Sequence, residues 1–237
     1  MDFTYTSVEI FGLFIEEPGT SLTDIISGVV GLVAFYRLQR LDLQDKAHIL
    51  FKYYFLFMGL ATVSAGILGH AFQYIVGFNA KAIGWTLSAI GLFCMENSAL
   101  SYCQRINNGS TLNKLRLLIL LQLMTYIIFV INPFTRVFEL VQINSVIGMI
   151  VISLPLFLYF YRKNNSVGNR RVVLGILATF LPGLVYSNRI TLHPYFNYHD
   201  ISHLLMAGCI YLLYRGAKQM GLENESQPNV KTIQPSI

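Results

Sequence analysis

Apolar runs about 20 residues long, separated by short polar or basic segments, fill most of the chain between residues 21 and 214. None of the long runs alternates with a period of two, so the pattern predicts helices and not a barrel. Read in order, the runs give seven membrane spans. The first starts at Ser21 or Thr23, either of which can cap it, and reaches Tyr36, with Asp24 in its first turn. The second covers Phe51 to Tyr74 and the third Ala82 to Tyr102. The fourth runs from Leu115 to Ile131 and ends at Asn132-Pro133. The fifth runs from Val137 to Tyr161, with Pro155 as an expected kink. The sixth covers Val172 to Tyr186, interrupted by Pro182, and the seventh His199 to Tyr214.

Ahead of the spans, Ile10 to Ile15 reads as a short interfacial turn, and Glu16-Glu17-Pro18-Gly19-Thr20 breaks the chain. Residues 1–20 lack the basic stretch that opens a typical signal peptide. Small residues collect in the second span (Gly59, Ala61, Ala65, Gly66, Gly69) and along the third (Gly84, Ser88, Gly91), where they let helices approach closely in lipid. The expected fold is therefore all-α: a polytopic membrane protein with a seven-helix bundle over residues 1–218. A disordered, polar cytoplasmic tail is expected over 219–237.

Composition agrees with a membrane class. Hydrophobic residues make up 54% of the 237 and charged residues 12%, against about 25% charged in a typical soluble domain. Mean hydropathy is +0.53. The net charge of +5 reflects connecting loops and does not call for a nucleic-acid partner. With seven spans, fourteen of the seventeen Lys and Arg residues fall on one side. Lys81, Arg136 and Arg189 fall on the other. The positive-inside rule then places the N-terminus outside and the C-terminus in the cytoplasm, in what is expected to be a bacterial inner membrane. Cys94, Cys103 and Cys209 all lie in or beside apolar runs and read as buried small hydrophobes.

This orientation gives the polar residues a depth. The second span runs outward, so His70 lies near its outer end. The seventh runs inward, so His199 and His203 lie near its outer end too. Asp24, Glu139, Asp200 and the loop residue His193 share that side, and His48 alone of the five histidines lies on the cytoplasmic side. His199 and His203 are four apart, hence on one helical face one turn apart. Three neutral imidazoles and a water make a tetrahedral catalytic zinc site. Zinc lowers the pKa of its water to about 7 and polarises an ester or amide carbonyl. Asp24 and Asp200 are the acids that can take the proton. Asp200 points about 100° away from His199 around the helix, which makes Asp24 the better base or orienting group. The plainer reading is that these histidines are interfacial and hydrogen-bond water or lipid.

A late second-helix histidine, His70, and His199-x-x-x-His203 opening the seventh helix resemble a membrane hydrolase superfamily. It contains the alkaline ceramidases, the progestin and adiponectin receptors and the lipid-remodelling proteins of GPI-anchor processing. The resemblance implies that His70, His199 and His203 bind zinc (Zn2+) and that the activity is hydrolysis of a lipid amide or ester, with membrane lipids as the partners. The chain departs from the family pattern at three places. The family serine four residues before the first histidine is replaced by Gly66, and Ser64 lies on another face. No carboxylate stands between Asp45 and Glu96, where the family has an aspartate opening the third helix. The tryptophan of the last motif is absent. Glu17 or Asp24 can stand for the acidic residue of the first helix.

Other classes compete. Haem ligation by histidines on facing helices is disfavoured for two haems, because the candidate histidines lie at one depth. A retinal protein needs a lysine in the seventh span, and none occurs from His199 to Tyr214. A non-catalytic receptor or lipid-binding protein with zinc as a clamp fits the missing serine and aspartate. A small-solute transporter would use Glu96 and Asn97 inside the third span, whose plainer role is a hydrogen-bonded helix contact.

Overall fold

The computed structural model describes residues 6–107 and 109–226. A hairpin comes first. Strand β1 (Ser7–Ile10) pairs antiparallel with β2 (Leu13–Glu16), with Ser7 opposite Glu16 and Ile10 opposite Leu13. Its turn, Phe11-Gly12, has positive φ at both residues (52° and 76°), as a two-residue hairpin matched to strand twist requires. The run expected as an interfacial turn is thus the tip and second strand of a hairpin. Strands of 4 residues are too short for alternation to show in the sequence.

Long helices follow: α1 (Pro18–Gln39), α2 (Lys46–Ala71), α3 (Lys81–Gln104), α4 (Ser110–Ile131), α5 (Phe138–Asn164), α6 (Val167–Ser187) and α7 (Tyr198–Ser226). Short turns at Gln73–Val76 and Phe78–Ala80 join α2 to α3. The described chain is mostly helical, and α1, α2, α4, α5 and α6 are long and apolar enough to cross a membrane. Helix α3 is less apolar because it carries Glu96, Asn97, Ser98 and Ser101, all buried against neighbours. Helix α7 begins with histidines and an aspartate and carries Arg215, Lys218 and Glu223 in its second half.

Local chemistry sets the helix ends. Pro18 starts α1 from its first turn, where a missing N–H costs nothing. Thr23, expected as a cap, instead turns its hydroxyl back to Gly19 O (3.0 Å) and Thr20 O (3.1 Å). Asp45 caps α2 by accepting from His48 N at 2.9 Å and also pairs with Arg105 at the end of α3. Helix α5 widens into a π-turn over Ile147–Ser153, next to Pro155. Helix α6 is irregular at Thr179, since Pro182 has no N–H to offer the carbonyl of residue 178. Helix α7 continues through Ser226, so residues 219–226 are not the start of a tail. Met220 is buried against Gly168, and Glu223 accepts from Ser166 Oγ and Gly168 N. The rest of the expected tail, 227–237, lies outside the described residues.

Helix α3 lies along α2 for most of its length and also packs against α4 and α5, while α7 packs against α6 and α1. The largest core cluster joins Phe51, Phe55, Met95, Tyr102, Phe157, Ile176 and Leu213, with Phe51 and Phe55 stacked at 5.6 Å. Helix α4 is peripheral and buries only Ile119, Tyr126 and Val130. Glycine brings α1 and α2 together: a Cβ on Gly28 would lie 2.8 Å from Gly59 O, so the two backbones touch directly. The three cysteines are free and buried. His70, His199 and His203 lie beyond the packed core, at the end of the bundle where α1 begins and α2 ends.

Candidate functional site

Helix α1 builds one wall. Thr20, Thr23, Asp24 and Ser27 recur at helical spacing and form a buried polar stripe. The stripe meets the first turns of α7. Thr20 Oγ1 donates to Asp200 Oδ1 (2.8 Å), Ser27 Oγ donates to His203 O (2.7 Å), and Thr23 Oγ1 lies 3.4 Å from His203 Nδ1. Asp200, 1% exposed, also accepts from Asn197 N at 2.7 Å. Both its oxygens are thereby engaged in holding α7 to α1 and closing the turn before it.

Helix α2 supplies His70 from a π-turn. Phe72 N donates to Ile67 O, five residues back, at 3.0 Å. Such turns are frequent at functional sites. Gly66 in the same turn has no room for a side chain: a Cβ there would meet Ser21 O at 2.7 Å and Asp24 Cβ at 3.1 Å. A serine at position 66, as the resembled hydrolase superfamily has, is thus excluded by the close passage of α1, and Asp24 stands beside that position.

The three histidines come together. Ring centroids are 6.3 Å apart for His70–His199, 6.2 Å for His70–His203 and 6.3 Å for His199–His203. They form a nearly equilateral triangle that brings His70 to a pair more than a hundred positions further along the chain. Asp24, 4% exposed, reaches two of them, with Oδ2 3.6 Å from His70 Nε2 and Oδ1 3.4 Å from His203 Nδ1. His199 packs its ring on Tyr198 and Tyr186, at 4.2 and 5.4 Å.

Glu17 completes the cluster. It sits in a left-handed conformation (φ 43°, ψ 55°) between the hairpin and α1, which a non-glycine residue adopts at a cost. Its Oε2 is bonded to His70 Nδ1. Burial pushes the Glu17 carboxyl up, but the His70 hydrogen bond and the charges of His70, His199 and Lys81 together hold it below its usual range. An ionised carboxylate can only accept, so His70 Nδ1 carries the proton and Nε2 faces Asp24. A carboxylate behind an imidazole in this way fixes the tautomer of a metal-ligating histidine.

Whether the set fits zinc turns on spread. Imidazoles on one tetrahedral zinc, with nitrogens about 2.0–2.1 Å from the ion, hold their centroids roughly 5 Å apart. The observed triangle is wider, and each ring would have to move inward by roughly 0.6 Å. Accordingly, among the described residues no group of three or more His, Cys, Asp or Glu side chains converges closely enough to hold a metal as it stands. The Asp24 contacts at 3.4 and 3.6 Å are close to the edge of such a tetrahedron, roughly 3.3 Å. The donor chemistry suits zinc, but the triangle as it stands is too wide and would have to contract to hold it.

Other residues expected on this side do not join. His193 lies exposed in a turn, where its Nδ1 accepts from Tyr195 N at 3.2 Å. Glu139 is exposed at the start of α5. Glu96 is 2% exposed in α3 and accepts from Gln122 Nε2 at 3.1 Å, while Gln122 also donates to Asn144 Oδ1 at 3.0 Å. That network links α3, α4 and α5 and is separate from the histidines.

A family model described as a family of unknown function (DUF6962) matches residues 19–222. The chain belongs to that family. The match begins just after Glu17 and takes in Asp24, His70, Asp200 and both histidines of α7. No curated protein and no solved structure matches the chain.

Proposed function

We propose that this protein is a zinc-dependent intramembrane hydrolase of a lipid amide or ester. The observation that carries the reading is the histidine triangle, with Asp24 spanning two of its members and Glu17 behind the third. All seven long helices act as spans in this reading. The N-terminus is outside and the C-terminus cytoplasmic, because Lys and Arg then collect on the inner side. Helices α3 and α7 cross despite their polarity because Glu96, Asn97, Ser98, Asp200 and Ser202 are buried against protein. A bacterial inner membrane is the proposed location.

His70, His199 and His203 are the residues that would hold the metal. When bound, zinc supplies Lewis acidity toward the substrate carbonyl and an attacking water. The remaining roles belong to the chain. Glu17 holds His70 in the tautomer that presents Nε2. Asp24 is placed to take a proton from water and return it to the departing amine or alkoxide, so that amide or ester plus water gives a carboxylic acid and an amine or alcohol. Asp200 positions α7 and does not meet the reacting atoms. The substrate enters sideways between helices in this reading, because seven spans put the site within or near the bilayer.

One observation favours a second reading, a receptor or lipid-binding protein with zinc as a clamp: Gly66 stands where the family serine would be. The transporter reading gains less, because Glu96 is tied to Gln122. The first test is metal content by elemental mass spectrometry on detergent-purified protein prepared without chelator. The expected result is about one zinc per chain, lost in both His70→Ala and His203→Ala. An intact protein without metal overturns the hydrolase reading.

A further inference from the structure

Lys81 opens α3 beside the histidine cluster and has no established task. It forms no ion pair within 4.0 Å among the described residues. Its stem lies over Gly69, with Cγ and Cε 3.6 and 3.8 Å from where a Cβ on that glycine would sit. Its ammonium is 5.4 Å from the Phe78 ring centroid. Gly69 precedes His70, so the Lys81 stem lies beside the cluster, and its positive charge helps hold the Glu17 carboxyl below its usual range. The other cations of this side are differently placed. Arg136 is occupied by Val130 O, Ile131 O and Asn79 Oδ1 at 2.6–2.7 Å, and Arg189 lies exposed after α6.

A lysine serving only as counter-ion to Glu17 or Asp24 would close on one of them, as Arg105 closes on Asp45. Lys81 instead stands at a boundary. On one side is the polar cluster. On the other is an apolar rim, with Tyr74, Ile75, Val76 and Phe78 exposed along the α2–α3 link. Phe14 of the hairpin joins this rim, packed edge-on to Tyr74 at 5.2 Å, and Tyr74 Oη donates to Phe14 O at 3.0 Å. A positive charge between a reactive polar site and an apolar rim matches an amphiphile with an anionic head.

We propose that Lys81 is the headgroup site for an anionic lipid, one whose phosphate or carboxylate lies near the scissile amide or ester. The head sits against the Lys81 ammonium and the chain follows the Tyr74–Phe78 rim. This assignment of substrate class rests on the hydrolase reading, but its test reads binding and not turnover.

Trp85 is the only tryptophan and packs on Phe78 at 5.9 Å, so its emission reports events beside Lys81. Protein in phosphatidylcholine nanodiscs is titrated with dodecyl phosphate, with zwitterionic dodecylphosphocholine and with inorganic phosphate. Dodecyl phosphate is expected to saturate the emission change, and the other two are not. Lys81→Met keeps the stem over Gly69 and should weaken dodecyl phosphate binding about tenfold. Lys81→Arg should retain it, and Lys163→Gln at the opposite end of the bundle should leave it unchanged. Metal content should be the same in every variant. Equal saturation by dodecylphosphocholine overturns the proposal without any variant having to fold. Undiminished binding in Lys81→Met overturns it as well, and equally tight saturation by inorganic phosphate assigns the site to free anions and overturns the lipid. Failure of the hydrolase reading would appear separately, as absence of metal.

Discussion

Glu17 shows how much one side chain outside the helices contributes to the site. It fixes which nitrogen His70 presents, and it does so from a left-handed backbone at the junction of hairpin and helix. Glu17→Gln keeps the size but not the charge. It is expected to lower zinc affinity by roughly 10- to 100-fold while leaving the thermal unfolding midpoint in detergent within a few degrees; metal titration with a competing chelator measures it. An unchanged affinity would remove Glu17 from the site. The histidines themselves were legible in the sequence, because a four-residue spacing and a common depth both follow from helix geometry. Glu17 entered only as one of two stand-ins for an acidic residue of the first helix, and Lys81 did not enter the site at all, because neither sits in a periodic pattern. Glu17 becomes part of the cluster only through the turn at Pro18, and Lys81 only through the path of the link after α2.

At the scale of elements, the long helices were legible in order and approximate extent, and five of them are long and apolar enough to cross a membrane. Their irregularities were visible only where proline marked them, near Pro155 and Pro182. The π-turn that carries His70 has no proline, and its glycines read simply as packing residues. Gly66 is the instructive case. Judged by the pattern of the resembled hydrolase superfamily it is a missing serine, yet in the fold a Cβ at 66 lies against the main chain of α1. Gly66→Ser is therefore expected to destabilise the protein by about 1–3 kcal/mol through separation of α1 and α2, and to restore no function. Unfolding in mixed micelles checks this, and a stability equal to the parent would show that α1 can yield. The hairpin was illegible for a different reason: paired strands of 4 residues leave too short a trace for periodicity.

For the whole molecule, the asymmetry of basic residues gives the orientation a direct test. Asn188, after α6, and Asn164, ending α5, are both exposed, and the three native cysteines are buried, so background labelling is low. Asn188→Cys should react with a membrane-impermeant maleimide from outside intact cells, and Asn164→Cys only after permeabilisation. The reverse pattern would invert the topology and move the histidine cluster to the cytoplasmic face.

The contact between α1 and α7 also carries a consequence for how the protein is made. Thr20 and Asp200 are 180 residues apart, and Ser27 and His203 are 176 apart. Helix α1 is therefore synthesised long before the helix that accepts its hydroxyls, and the histidine triangle is incomplete until residues 198–203 follow. A chain cut before residue 198 would leave Thr20, Thr23 and Ser27 without those partners. The order of synthesis thus puts the closing of the site after the making of every other described helix.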